Sequence, residues 1–191
     1  MKSEELLEFA RLIGKLKKIP RSGWLKKVGV NNPESVAEHV FRQSILCMIV
    51  GDMLKLNTEK MIRMALLDDL HEAIIGDLMP EEQTKVGEKE YRNQEISGTR
   101  KLLSFISKEL VDEYFDIWNE LHQLKSEEAK IVRQLDKIEM VIQALEYEEE
   151  GHDKKKLDEF WVDTEKRITD KELIKLFNFL KHLRRDRYGT S

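Results

Sequence analysis

One cysteine, three prolines and nine glycines are spread over 191 residues. A single thiol excludes a disulfide framework and fits a reducing compartment. Cys47 lies in the apolar run Ile45-Leu-Cys-Met-Ile-Val50, with no charge beside it to lower its pKa, and reads as a small core residue rather than a nucleophile. No apolar run approaches the ~20 residues that a membrane span requires. The first residues, Met-Lys-Ser-Glu-Glu-Leu-Leu, carry acids where a signal peptide is basic and then apolar. An excess of one charge is also missing: 33 basic and 37 acidic residues leave a net charge of −4. That balance argues against nucleic acid or a membrane as partner. The expectation is a soluble cytoplasmic protein.

What is present is charge of both signs, 37% of the chain, and long apolar patterns of period 3.6. These predict an all-α fold, because alternating strand-like runs are absent. The Glu and Lys richness is compatible with a thermophile. The length suits one domain over 1–191, with a core of about 3–150 and C-terminal helices of about 155–186. Ser3 is a candidate cap for a first helix ending before Pro20. Residues 20–34 read as a long loop carrying Arg21 and Trp24; long ordered loops are often functional. Composition alone favours Trp24 as a core anchor and Arg21 as a surface charge over a functional pair. Ser35-Val-Ala-Glu38 is a capping box that opens a second helix, with His39 in its first turn. Residues 81–90 read as a mobile polar loop. Ser126 caps a helix in which Asp136 lies between Leu135 and Ile138, either facing inward or at the stripe's edge. The capping box Thr169-x-x-Glu172 opens the last helix, whose basic end, Arg184-Arg-Asp-Arg, reads as a solvated terminus matched to the helix dipole.

The most informative stretch is Met64-Ala-Leu-Leu-Asp-Asp-Leu-His-Glu-Ala-Ile-Ile-Gly-Asp77. On a continuous helix turning about 100° per residue, Asp68, Asp69 and Glu72 share one face. Like charges at this spacing repel, so the cluster calls for a cation or a retained proton. A solvated acidic stripe is the alternative, although the surrounding Leu and Ile residues leave little polar face for it.

Taken with Arg21-Ser-Gly-Trp24, Pro33-Glu-Ser-Val-Ala-Glu-His39 and Gln134-Leu-Asp-Lys-Ile-Glu139, this stretch resembles the HD-domain 5′-deoxynucleotidases. The resemblance runs from Arg21 to Tyr147. It implies an α-helical HD-type bundle, a divalent cation such as Mn²⁺, Co²⁺ or Mg²⁺, and hydrolysis of deoxyribonucleoside 5′-monophosphates. By that resemblance His39, Asp69 and Asp136 are metal ligands. Glu72 is catalytic, Asp77 lies near the sugar, and Arg21 and Trp24 meet the phosphate and nucleoside. The family commonly forms homodimers, for which Trp118 or Trp161 are candidate exposed aromatics, although either suits the core equally well.

One position departs from the pattern. The family carries histidine where this chain has Asp68, and His71 stands where a small residue is usual. Asp68 is expected to be a fourth ligand beside His39, Asp69 and Asp136, but as an anionic oxygen donor, which suits harder cations. His71 is then either a substitute ligand or an imidazole bonded to Asp68. The substitution also admits a damaged site. Three functions follow as expectations: the monophosphatase, a phosphohydrolase on another nucleotide (triphosphate, cyclic or alarmone), and a non-catalytic nucleotide-binding scaffold.

Overall fold

The computed structural model describes residues 2–188, with side chains through Asp186. The side chain of Arg187, in the basic terminus, lies outside the described residues. Ten helices make up the described chain: α1 (Ser3–Ile13), α2 (Val36–Leu54), α3 (Thr58–Asp68), α4 (Glu72–Ile75), α5 (Pro80–Val86), α6 (Glu88–Leu103), α7 (Lys108–His122), α8 (Glu127–Glu149), α9 (Lys154–Arg167) and α10 (Lys171–Tyr188). The all-α expectation holds.

The long helix α8 is the axis of the bundle. Ser126 caps it by accepting the Ala129 amide, and Val132, Leu135, Ile138, Val141 and Ala144 are fully buried along it. Such near-continuous burial means that the helix is packed on more than one side. On one side lie α2 and α3, with Cys47, Met61 and Met64; on another lie α9 and α10, with Leu157, Trp161 and Phe177. A second apolar cluster, with Val36, Leu67, Leu102 and Trp118, joins α2 and α3 to α6 and α7. Trp118 and Trp161 are therefore core residues and expose no aromatic surface for a partner.

Several local expectations are corrected. Lys2, not Ser3, precedes α1, and its amide is taken by Glu5. The stretch expected to be a mobile loop forms α5, with Pro80 at the first helical position, where a missing N–H costs nothing. The final helix is capped by Asp170, which accepts from the Glu172 and Leu173 amides, while Thr169 donates to Gln134. The predicted box at Ser35 and Glu38 is present.

The acidic helix is also not continuous. α3 stops at Asp68, Asp69 sits at φ −95° and ψ 13°, and α4 restarts at Glu72. Asp69 thus occupies the sparsely populated bridge region, where active-site residues are often found. The break sends Asp68 and Asp69 in different directions, which the single-helix reading does not allow.

α2 and α3 approach closely at Gly51, where an added Cβ would lie 2.8 Å from Thr58 Oγ1 and 3.1 Å from Thr58 Cα. Gly51→Ala gains about 1 kcal/mol of helix propensity. The backbone contact cannot relax by a rotamer change, and overpacking of this kind costs about 1–3 kcal/mol. We expect a net loss of stability, read as a lower Tm by circular dichroism; an unchanged or higher Tm contradicts the close crossing.

Candidate functional site

Residues 20–35 are held as a tight excursion between α1 and α2. Its neck is closed by Arg21 N donating to Glu34 O (3.0 Å) and Val36 N donating to Ile19 O (2.9 Å). Inside it, Trp24–Val28 form a widened helical turn closed by the Gly29 amide on Trp24 O, with Gly29 at φ +86°. The excursion's inner end is tied to Asp77: Ser22 N donates to Asp77 Oδ2 at 2.7 Å, and the Ser22 hydroxyl donates to the Asp77 carbonyl. Gly76, at φ +81° and ψ 167°, makes the turn that brings Asp77 there, a conformation strained for any residue with a Cβ.

This arrangement points Arg21 inward, into a cleft of about 560 Å³ that Asp69, Glu72, Asp77, Tyr91 and Asp136 also line. The volume is that of an ordinary small-molecule site. Arg21 Nη1 lies 3.6 Å from Asp69 Oδ2. Burial opposes its charge, but Asp77, Asp69, Glu72 and Asp136 together outweigh burial and hold the proton more firmly than usual. The surface-charge reading of Arg21 is thus replaced by a buried guanidinium amid carboxylates.

Trp24 is a core anchor that borders the cleft. It is 2% exposed, its Nε1 donates to Glu34 Oε1 at 2.9 Å, and its ring packs on Phe160 and Tyr147. Only an edge of it is available to a ligand.

At the base of the cleft, His39 is fully buried. Its Nδ1 lies 2.5 Å from Glu139 Oε2. Glu139 therefore accepts from Nδ1–H, so that Nε2 is the nitrogen left for a cation, facing Asp136 Oδ1 at 3.2 Å and Asp69 Oδ2 at 3.8 Å. Nε2 has no well-directed hydrogen bond despite complete burial. An orphaned imidazole nitrogen between two carboxylates is what a cation site requires of its donors. Without a cation, burial and Arg21 push the His39 pKa down, but Asp136 and Glu139 outweigh them and raise it to about 10. A bound cation has to displace that proton.

Three other donors, from Glu34, His39 and Glu139, also lie within 4.8 Å of one another, on the Nδ1 side of the ring. That side already has its cation. Arg42 Nε lies 3.0 Å from Glu139 Oε1, and Arg42 Nη2 lies 3.7 Å from Glu34 Oε2. The Nε2 side is thus the better cation site, and Glu139 and Arg42 form its support. Glu139→Gln is expected to weaken Mn²⁺ binding by about 10–100-fold, the usual cost of losing a group that orients a ligand histidine; calorimetric titration measures it.

The carboxylates differ in character. Despite burial, Lys137 (Nζ to Oδ2, 3.1 Å), His39 and Arg133 hold Asp136 well below the usual range. Asp69 is pushed up by burial and by Asp68, with Arg21 and His39 opposing. Glu72, 5% exposed, is raised well above the usual range by burial and by Asp69 and Asp77, with Arg21 and His39 opposing, and its Oε2 has no hydrogen-bond partner. A protonated carboxyl with a free oxygen at a cleft is suited to proton transfer.

Asp68 stands apart from this group. Its Oδ2 accepts from Arg133 Nη1 at 3.1 Å, and its Oδ1 lies 3.4 Å from Arg133 Nη2 and 3.1 Å from His122 Nε2. Burial raises its pKa, but Arg133 and His122 more than offset that and hold it low. His71 is buried, with Nδ1 3.1 Å from the Asp68 carbonyl and Nε2 3.7 Å from Glu95. It bonds to Asp68's backbone rather than its carboxylate. Arg133, His122 and Glu139 were missed from sequence. Only Arg133 and Glu139 left a trace there, standing three residues either side of Asp136 on one helix face.

The fold and this site define an all-α bundle with nitrogen and oxygen donors gathered under an arginine. Residues 13–176 match a family model described as HD domain, and the chain belongs to that family. It is 35% identical over 179 residues to a human protein named 5′-deoxynucleotidase HDDC2, covering 94% of this chain and 86% of that one. It is 34% identical over 161 residues to 5′-deoxynucleotidase hdd1 of Schizosaccharomyces pombe, covering 83% and 80%. Among solved structures, a conserved hypothetical protein from Pyrococcus furiosus is similar at a TM-score of 0.75 and 34% identity, covering 92% of this chain and 99% of that one.

Proposed function

We propose that this chain is a metal-dependent phosphomonoesterase that removes the 5′-phosphate from deoxyribonucleoside 5′-monophosphates. The observation that carries the reading is the convergence of His39 Nε2, Asp69 and Asp136 beside Arg21 and Glu72. His39, Asp69 and Asp136 would hold a divalent cation; one nitrogen and carboxylate oxygens suit Mn²⁺, Co²⁺ or Mg²⁺. When bound, the cation supplies positive charge that polarises the phosphoryl group and acidifies a water.

The remaining chemistry belongs to the chain's own groups. Arg21 offers a planar fork of donors to the phosphate oxygens. Glu72 hands its proton to the departing 5′-oxygen or takes one from the attacking water. Asp77 has one oxygen committed to the Ser22 amide, and its other oxygen is assigned to the sugar 3′-hydroxyl. The Trp24 edge borders the nucleoside. Free phosphate measured across deoxy- and ribonucleotides with each metal tests the reading. Cleavage of deoxymonophosphates above the rest is expected, and no release from any of them contradicts it.

A triphosphate or alarmone substrate is less well supported. Most of the cleft's further cations are committed: Lys27 to Glu81 and Glu159, Lys137 to Asp136, Arg133 to Asp68 and Arg167 to Asp163, although the exposed Lys166 also lines it. Nucleotide binding without phosphate release would favour the scaffold reading.

A homodimer is proposed on a different surface from the tryptophans. Phe41, Ile45, Met48 and Ile49 form an exposed apolar stripe on α2, with Phe41 68% exposed. Light scattering on Phe41→Asp should show monomer where the unaltered chain shows dimer. No helix among the described residues is long and apolar enough to cross a membrane, and the unpaired, buried Cys47 supports the proposed cytoplasmic location.

A further inference from the structure

We infer that Asp68 is not a metal ligand in this chain but the buried partner of Arg133 in an ion pair, with His122 beside it, which leaves the cation with three protein ligands. The inference rests on the metal reading above and concerns a position where this chain departs from the pattern that the resemblance implies.

The geometry commits both Asp68 oxygens. Arg133 approaches from α8 with both terminal nitrogens, at 3.1 and 3.4 Å. His122 comes from the end of α7, with Nε2 3.1 Å from Oδ1. The tautomer of His122 is set from behind. Arg92 Nη1 lies 2.8 Å from His122 Nδ1, and a guanidinium can only donate. Nδ1 therefore accepts and the ring hydrogen sits on Nε2, which lies beside Asp68 Oδ1 without a well-directed hydrogen bond. Arg92 is itself held by Glu95 at 3.1 Å and by stacking over Trp118 at 4.4 Å. The Asp68 carbonyl accepts from Trp118 Nε1 at 3.2 Å.

Asp68 is thus fixed by groups from α6, α7 and α8, and each of its carboxylate oxygens already has a cationic or N–H partner. To reach a cation beside His39 it would have to abandon a buried arginine, and leaving a buried charge unpaired is strongly unfavourable. The cluster also answers the charge problem that the substitution raises. Asp68 and Arg133 together are neutral, so the donor set keeps the charge of His39, Asp69 and Asp136 alone. A site with three protein ligands keeps more coordination positions for water and substrate.

Mn²⁺ titrated calorimetrically into the purified protein, with three variants, tests this. Asp136→Asn removes a ligand and is expected to weaken binding by more than about 100-fold, beyond the cost of an outer-shell change. Asp68→Asn with Arg133→Gln removes the ion pair without changing net charge, and Mn²⁺ affinity should stay within about threefold. A loss in that double variant matching Asp136→Asn overturns the inference while leaving the metal reading intact. Absence of Mn²⁺ binding by the unaltered protein overturns both. Should the double variant not fold, water-proton relaxation on the unaltered Mn²⁺ complex decides. Six-coordinate Mn²⁺ with one atom from each of three protein ligands retains about three waters, and a fourth ligand leaves about two. Two waters overturn the inference.

Discussion

Glu72→Gln is expected to lower kcat by about 10²–10⁴-fold, the range for losing a positioned proton donor or acceptor, while Mn²⁺ affinity changes little. The reason lies in the side chain's setting. Burial and two neighbouring carboxylates favour its protonated form, and one oxygen faces the cleft without a partner. The amide keeps the size and the hydrogen-bonding reach but cannot transfer the proton. Steady-state kinetics with a deoxynucleoside monophosphate, beside a Mn²⁺ titration, separates the outcomes. If turnover survives and Mn²⁺ is lost instead, Glu72 is a ligand and the proton-transfer assignment fails.

Arg21→Ala is expected to split in direction. Removing the cation from among Asp69, Glu72, Asp77 and Asp136 lets those carboxylates attract a metal more strongly, so Mn²⁺ should bind more tightly. The same change removes the phosphate's planar partner, and kcat/KM should fall by about 10²–10³-fold, as when one preorganised donor is lost from a transition state. Arg21→Lys should recover little, because an ammonium cannot make the paired contact. Weaker metal together with weaker catalysis would instead mark Arg21 as a structural prop of the Asp77 turn. Its amide and that of Ser22 tie the excursion to Glu34 and Asp77.

The candidate site came from the family resemblance, whose residues sit at recognisable local features. His39 follows a capping box, Asp69 and Glu72 interrupt an apolar helix, and Asp136 breaks an apolar stripe. Arg21 was legible by family resemblance alone; its composition and spacing suited a surface charge as well. Composition favoured Trp24 as a core anchor, and its burial agrees. The misreadings came from treating local pattern as final. The 81–90 stretch is polar, yet it helixes once Pro80 starts it, and Lys27 and Lys26 reach across to Glu81 and Glu82.

What the amino-acid sequence determined by itself is the all-α class, the position of most helices and the candidates from which the donors are drawn. These depend on short-range periodicity, capping and turn chemistry, which act within a few residues. Only the tertiary structure decided how the adjacent acids divide. Asp69 turns toward His39 because α3 ends there. Asp68 turns toward Arg133, 65 residues away, because a buried carboxylate takes the nearest desolvated cation, and which cation is nearest is a property of the packed bundle.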